Sequence, residues 1–310
     1  MSEKKATREA YGAVLIELAK AGRDVVALDA DLASSTTTAK FGAEFPDRFF
    51  NVGVAEQNMI GVAAGLAASG KIAYTGSFAV FATGRAFDQI RNTVCYGNLN
   101  VKICPTHAGL TVGPDGASHQ ALEDIALMRS LPNMRVIVPA DYYEAAAALR
   151  AAADIDGPVF VRLGRAAVPV VYDESRTFEL GEADVMAEGG DVTIAACGIM
   201  VEVALRARDL LAAGGISAEV INVSSVKPID AETLVASAAK TGHVVTAEEH
   251  TIQGGLGGAI AEVLSEQLPT PMLRVGVRDM FGTSGPADEL LIEYGLTPAN
   301  IAEAARKLLD

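Results

Sequence analysis

The sequence contains no tryptophan, and aromatic residues make up only 5% of its 310 positions. Its three cysteines, Cys95, Cys104 and Cys197, form neither a CxxC pair nor a spacing typical of metal ligands. This small, odd number argues against a disulfide framework and fits a reducing compartment. No apolar run approaches the ~20 residues of a membrane span, and the N-terminus has no signal-peptide pattern, so we expect a cytoplasmic protein with no membrane partner.

Positive charge is also in deficit. The chain has 25 lysines and arginines against 39 aspartates and glutamates, which gives a formal net charge of −14 and a pI near 4.8. An acidic surface repels the phosphate backbone of DNA or RNA, so we expect no nucleic-acid partner. Net charge does not exclude a basic pocket, because a binding site is local.

Strand-like and helix-like segments alternate along most of the chain. Short apolar segments such as VVALDAD (25–31) are followed by segments rich in small residues such as EQNMIGVAAGLAASG (56–70). This alternation predicts an α/β fold whose mostly parallel sheets are flanked by helices. A polar, acidic stretch near residue 180 breaks the rhythm, so we predict two domains, 1–170 and 189–310, joined by a linker at 171–188.

Glu56 stands where a strand candidate passes into an apolar helix. A carboxyl group held in such a site can hydrogen-bond a ring nitrogen of a cofactor, whereas the alternative is a helix-start glutamate that satisfies backbone donors.

Phe78 and Phe81 lie three residues apart near a strand end in a chain poor in aromatics. They could stack on a planar heterocycle, and ordinary core packing is their alternative.

The segment THAGLTVGPDGASHQ, residues 106–120, carries the strongest functional pattern. It contains His107, Asp115 and His119, so that two of the four histidines lie close together in a glycine-rich loop. Glycines let the backbone approach a ligand closely, and histidine with aspartate suits proton transfer and hydroxyl recognition. Metal binding is the alternative, but no familiar ligand spacing completes a set, and we expect no metal site in this chain.

Two further patterns are less specific. Arg162 and Arg165 follow the strand candidate PVFVRLGR, where the ligands of α/β sheets commonly bind, and surface salt bridges are the alternative. The glycine-rich run GGLGG at 254–258 matches neither the dinucleotide fingerprint nor the P-loop. It predicts a tight turn into a helix.

Taken together, the segments NVGVAEQNMIGVAAGLA, SFAVF, THAGLTVGPDGASHQ and GGLGGAIAE resemble the C-terminal half of transketolase. The wider thiamine-diphosphate family also includes deoxyxylulose-phosphate synthase and the β subunits of 2-oxo-acid dehydrogenases. The resemblance covers essentially the whole chain. It implies a pyrimidine-binding domain followed by a transketolase C-terminal domain.

The resemblance also implies roles for the matching positions. Glu56 would hydrogen-bond the aminopyrimidine ring of thiamine diphosphate and take part in catalysis. His119 and Asp115 would also act in catalysis, through the carbonyl and hydroxyl groups of the donor sugar. The implied cofactor-binding residues are Glu56, Phe78, Phe81 and Asp31. The implied substrate-binding residues, which line the channel and hold the sugar phosphate, are Arg8, Ser35, His107, Asp115, His119 and Arg165.

The sequence departs from the family pattern in two ways. The family often has a tyrosine shortly after the second aromatic, whereas Ala82, Thr83 and Gly84 follow Phe81. Transketolases also hold the diphosphate through a metal bound by a GDG-to-Asn motif in their N-terminal half, and this sequence has no such motif. We therefore expect a separate N-terminal subunit that carries the diphosphate and Mg²⁺ (or Ca²⁺), with two copies of each chain in an (AB)₂ assembly.

The reaction implied is the transfer of a two-carbon ketol unit from a ketose phosphate to an aldose phosphate. One alternative keeps the cofactor and changes the reaction: a 2-oxo-acid dehydrogenase β subunit or a fragment similar to deoxyxylulose-phosphate synthase. Another is a regulatory paralogue without activity. The loop from His107 to His119 with Arg165 favours a sugar phosphate, but it identifies neither the ketose nor the pathway, whether pentose phosphate or a specialised sugar catabolism.

Overall fold

The computed structural model describes residues 3–310, which form fourteen strands and twelve α-helices. The strands are β1 Lys4–Ala6, β2 Val25–Asp29, β3 Phe49–Asn51, β4 Ile72–Gly76, β5 Val101–Ile103, β6 Arg135–Ile137, β7 Val159–Val161, β8 Ala167–Pro169, β9 Asp184–Ala187, β10 Val192–Ala196, β11 Ala218–Asn222, β12 Ser225–Lys227, β13 Val244–Thr251 and β14 Met272–Val277. The helices are α1 Glu9–Lys20, α2 Ala33–Thr36, α3 Thr38–Glu44, α4 Glu56–Ala68, α5 Phe87–Gln89, α6 Asp124–Arg129, α7 Tyr142–Ala152, α8 Met200–Ala212, α9 Ala231–Thr241, α10 Leu256–Gln267, α11 Ala287–Glu293 and α12 Pro298–Leu309.

The first sheet has seven strands in the spatial order β12-β6-β7-β5-β4-β2-β3. All neighbours from β6 to β3 pair in parallel. The sheet is covered by helices, and strands such as β2 are buried at every position, as expected for a strand between two helical layers. On one side α1 packs on α3 and α7, with Tyr11 and Leu15 buried among the apolar side chains of β2 and α7.

The second sheet has five strands in the order β14-β13-β10-β11-β9. The four strands from β14 to β11 are parallel, and β9 pairs with β11 antiparallel. Helices α8 and α12 pack together over one face of this sheet. The prediction of two α/β units with mostly parallel sheets flanked by helices is confirmed.

The two sheets are linked by a strand that crosses the boundary between the units. Strand β12, which follows β11 of the second sheet, crosses to the first sheet and pairs antiparallel with β6. Strand β9 lies within the predicted linker 171–188 and belongs to the second sheet. A small antiparallel pair, β1 with β8, also ties the beginning of the first unit to its end.

A buried ion pair lies at the junction of the two units. The guanidinium of Arg162, directly after β7, donates to both carboxylate oxygens of Asp124 in α6, at 2.8 and 3.1 Å. It also donates to the main-chain oxygen of Ala121 at 3.2 Å and to that of Glu249 in β13 at 3.0 Å. The side chains of Arg162 and Asp124 are 6% and 0% exposed, so the alternative of a surface salt bridge at Arg162 is wrong.

The turn and helix boundaries follow the sequence pattern in most places. The GGLGG run leads directly into α10, with Gly255 just before its first residue, which confirms the predicted turn into a helix. Helix α6 begins at Asp124, four residues after the end of the segment 106–120. Between residues 3 and 310, no helix is both long enough and apolar enough to cross a membrane.

We expect the substitution Arg162→Met to lower the free energy of unfolding by about 3–5 kcal/mol, because it leaves the buried carboxylate of Asp124 without its cation. Denaturant titration followed by circular dichroism measures this change. The control is Arg150→Met, which removes a bidentate pair with Glu17 at 2.8 Å whose side chains are 45% and 52% exposed. That pair should contribute less than about 1 kcal/mol, and equal losses in the two variants would contradict the assignment.

Candidate active site

The predicted site residues meet at one edge of the first sheet. Parallel strands end on the same side, and the segments after β2, β3, β4, β5 and β7 each contribute at least one of them. The carboxyl edge of an open parallel sheet is where α/β proteins bind ligands. In strand order these residues are Asp31 and Ser35, Glu56, Phe78 and Phe81, then His107, Asp115 and His119, and last Arg165, with Arg8 added from the start of α1.

Glu56 is the first residue of α4, and its side chain is only 4% exposed. Its carboxylate is 3.5 Å from the hydroxyl of Ser77 and 3.4 Å from the guanidinium of Arg85. Both contacts are at the long limit for a hydrogen bond, so the carboxyl group is buried with weak partners. Val54, Gln57 and Arg85 line a cleft beside Glu56. A ring nitrogen in this cleft could therefore form the short hydrogen bond that the carboxyl group lacks.

Aromatic rings form a wall beside this acid. Phe78 and Phe81 stack with their ring centroids 6.1 Å apart, and the imidazole of His107 lies flat on Phe78 at 3.8 Å. His119 meets the edge of Phe81 at 5.2 Å. The guanidinium of Arg85 lies 4.1 Å above the face of Phe81. The two phenylalanines therefore contact the histidine loop, and their stacking on a cofactor ring stays a prediction.

Cationic groups gather on the other side of His107. Arg8 donates from Nη1 to the main-chain oxygen of Ser35 at 2.9 Å. Arg165 donates to the main-chain oxygen of Val112, and its Nη1 is 3.6 Å from Oδ2 of Asp115. The pKa of Arg8 is lowered by burial and by the nearby charge of Arg165. Two arginines that repel each other beside a buried histidine form a site suited to an anion.

His107 is neutral in this environment. Its side chain is buried, and its Nδ1 lies 2.7 Å from the hydroxyl of Thr106. Burial lowers the pKa of His107 to about 3, and Arg8, Arg165 and His119 act in the same direction. A neutral imidazole can donate one hydrogen bond and accept another. His107 can therefore contact a hydroxyl or a phosphate oxygen without a charge of its own.

Two aspartates at the carboxyl end of β2, Asp29 as its last residue and Asp31 two residues beyond, differ in burial. Asp31 is exposed, has a positive φ of 67°, and its Oδ1 accepts from the amide of Asn51 at 3.2 Å. Asp29, which the sequence analysis did not single out, is fully buried. It accepts hydrogen bonds from the hydroxyls of Thr36 and Thr38 at 2.7 and 2.9 Å, and from the main-chain N–H of Leu32 at 2.6 Å. Burial raises the pKa of Asp29, and these donors oppose the shift.

Arg85 and Asp29 are the neighbours of the site that the sequence analysis missed. Arg85 follows the glycine after Phe81, and the residues Phe81–Arg85 form a π-helical turn, a feature often found at functional sites. For Asp29 a signal was present, since the threonine-rich run after it offers hydroxyl donors. Among residues 3–310, no group of three or more His, Cys, Asp or Glu side chains could hold a metal ion.

Two family models match the chain. The one described as the pyrimidine-binding domain of transketolase matches residues 3–170, and the one described as the C-terminal domain of transketolase matches residues 181–301. Together they cover most of the sequence. The resemblance drawn from the sequence motifs is confirmed.

Related proteins and structures agree with these matches. A protein named "Putative transketolase C-terminal section" from Methanocaldococcus jannaschii is 53% identical over 302 residues, which are 96% of this chain and 95% of that protein. A 6-deoxy-6-sulfo-D-fructose transketolase subunit from Clostridium sp. is 47% identical, over 98% of this chain and 94% of that protein. A solved structure described as an inactive β4 tetramer of a split-gene transketolase has a TM-score of 0.92 and 56% identity, and covers 98% of each chain.

We expect the imidazole of His107 to stay neutral at pH 5, because the folded protein lowers its pKa from 6.5 to about 3. In the unfolded chain it binds a proton near pH 6.5, so between pH 6.5 and about 3 the unfolded state holds more protons. The contribution of His107 to stability therefore falls as the pH drops through this window. Nitrogen-15 NMR of the ring measures its charge, and a titration midpoint near 6.5 would contradict the prediction.

Proposed function

The chain belongs to the transketolase family, and on that premise we propose that it is the C-terminal subunit of a split, thiamine-diphosphate-dependent transketolase. Its reaction is the transfer of a two-carbon ketol unit from a ketose phosphate to an aldose phosphate. One observation carries the proposal. The ring of His107 connects the two halves of the site. It stacks on Phe78, beside Glu56, and the charges of Arg8 and Arg165 act on it from the substrate side.

The cofactor end of the site fits a pyrimidine ring. Thiamine diphosphate, when bound, supplies the nucleophilic carbon and the electron sink that a ketol transfer needs. Glu56 is buried beside an open cleft with only long hydrogen bonds, and it would hold a ring nitrogen there. Phe78 and Phe81 would pack on the ring, and Asp31 stands at the neighbouring strand end.

Arg85 must change partners for Glu56 to act in this way. The guanidinium of Arg85 lies 3.4 Å from the carboxyl group of Glu56, so it competes with a ring nitrogen for the same oxygen. The side chain of Arg85 is 53% exposed, so it can leave the cleft at low cost. We propose that Arg85 contacts Glu56 in the absence of cofactor and moves away when the pyrimidine ring binds.

The substrate end fits a sugar with an anionic terminus. Arg8 and Arg165 would bind the phosphate with His107, while Ser35 fixes the position of Arg8 through its main-chain oxygen. Asp115 and His119 lie on the exposed part of the same loop, within reach of a sugar hydroxyl or carbonyl group. His119 would move the protons of the reaction. The similar 6-deoxy-6-sulfo-D-fructose transketolase subunit is named for a sugar whose sulfo group is anionic, which supports an anion site in this proposal.

A partner subunit completes the proposed enzyme. The sequence lacks the GDG-to-Asn motif through which transketolases hold the metal and diphosphate, and we assign the diphosphate and Mg²⁺ (or Ca²⁺) to a separate N-terminal subunit. Two copies of each chain would form an (AB)₂ heterotetramer in the cytoplasm. The split-gene transketolase structure supports this view, because a tetramer made of β chains is described there as inactive.

Reconstitution tests the proposal. We expect this chain, mixed with its cognate N-terminal subunit, thiamine diphosphate and Mg²⁺, to consume xylulose 5-phosphate or another ketose phosphate when ribose 5-phosphate is present. Glu56→Gln should lower kcat by at least about 100-fold, because an amide cannot donate and accept protons as a carboxyl group does. A coupled assay of the aldose product measures both.

The control variant is Glu17→Gln, which changes an exposed carboxylate in α1 and should leave the rate unchanged. Full activity of the Glu56→Gln pair would contradict the role of this acid. Failure to turn over any ketose phosphate, together with oxidative decarboxylation of pyruvate, would instead identify the chain as a 2-oxo-acid dehydrogenase β subunit. No turnover in either assay would favour a regulatory paralogue.

A further inference from the structure

The loop that carries Asp115 and His119 is held by a carboxylate from the other domain. Glu249, in β13 of the second sheet, accepts a hydrogen bond from the main-chain N–H of Thr111 at 2.6 Å. Gly109 makes this approach possible. It has a positive φ of 79°, and a Cβ on it would lie 2.3 Å from the carboxyl carbon of Glu249.

The second domain also contacts the other end of this loop, through Thr283. The side-chain amide of Gln120 donates to the main-chain oxygen of Leu110 at 3.1 Å and to that of Thr283 at 2.9 Å. The segment after β14 lies so close that a Cβ on Gly116 would be 2.4 Å from the hydroxyl of Ser284. Residues 109–120, here called the active-site loop, are therefore gripped at both ends by the second domain.

We propose that Glu249 is a positioning residue that sets the active-site loop in the geometry that presents Asp115 and His119 to the substrate. What the loop does when positioned rests on the function proposed above. That Glu249 anchors the loop rests only on the contacts described. The second domain thereby takes an indirect part in substrate binding, through the loop that it holds in place.

The surroundings of Glu249 suit a fixed anchor. The side chain is 4% exposed, and the main-chain oxygen of Glu249 is held by the buried guanidinium of Arg162. Burial raises the pKa of Glu249 to about 6, while Arg162 and the hydrogen bonds from Thr111 oppose the shift. At neutral pH the carboxyl group is ionised, and its bond to Thr111 is charge-assisted and correspondingly strong.

The neighbouring residue provides a matched control. Glu248 is the same residue type on the same strand and is 0% exposed. Its carboxylate points to the opposite side, where it accepts from the main-chain N–H groups of Leu256 and Gly257 at 2.7 and 2.9 Å, at the start of α10. A change at Glu248 disturbs the second domain without touching the active-site loop.

Hydrogen exchange of the full chain tests the anchor without any assay of activity. We expect Glu249→Asp, which withdraws the carboxylate by one methylene, to speed exchange of the Thr111 amide and its loop peptide about tenfold. Glu249→Gln, which keeps the length and an accepting oxygen, should restore most of the protection. Glu248→Gln should leave the loop unchanged. Unaltered exchange in Glu249→Asp, or equal acceleration in Glu248→Gln, would overturn the proposal.

Kinetics of the reconstituted pair supply the second readout. We expect Glu249→Asp to lower kcat/KM for the ketose phosphate about tenfold, because a displaced loop moves both Asp115, which contacts the donor sugar, and His119, which moves protons. Unchanged kcat/KM in Glu249→Asp, or an equal loss in Glu248→Gln, would contradict a positioning role. If the wild-type pair turns over no ketose phosphate, the proposed function fails, and the exchange result still decides whether Glu249 anchors the loop.

Discussion

The buried guanidinium of Arg162 links the two domains through hydrogen bonds to both. A charge removed from water must be paired and hydrogen-bonded. The guanidinium of Arg162 is paired with the carboxylate of Asp124 and donates to the main-chain oxygens of Ala121 and Glu249. Asp124 begins α6, Ala121 directly follows the active-site loop, and Glu249 belongs to strand β13. The pairing of Arg162 therefore fixes where the loop ends and how close the second sheet comes to it.

The site depends on a contrast between local and overall charge. The chain carries a net charge of −14, yet Arg8 and Arg165 meet beside His107 at the carboxyl edge of the first sheet. Burial lowers the pKa values of Arg8 and His107, and the nearby charge of Arg165 acts in the same direction on both. An anion placed between the two arginines would offset their charge, which is why a sugar phosphate suits this edge.

The sequence predicted most of the fold, because alternating apolar and helical segments report burial directly. It also predicted the strand ends that carry Glu56, Phe78 and His107. Contacts between residues far apart in the chain could not be predicted from the sequence. Examples are the pairing of β12 with the first sheet and the hydrogen bond between Glu249 and Thr111. Arg162 was interpreted from its position after a strand, and only the structure shows that Asp124 neutralises it. The roles of the ten predicted site residues stay predictions.

The central claim is that the active site is completed by a second chain, and cofactor binding tests it most directly. Isothermal titration of thiamine diphosphate with Mg²⁺ is run on this chain alone, on the N-terminal subunit alone and on their mixture. The account predicts tight, saturable binding only for the mixture, because it assigns the pyrimidine ring to the acid and aromatic wall of this chain and the diphosphate and metal to the N-terminal subunit. Binding to this chain alone with the affinity of the mixture would contradict it.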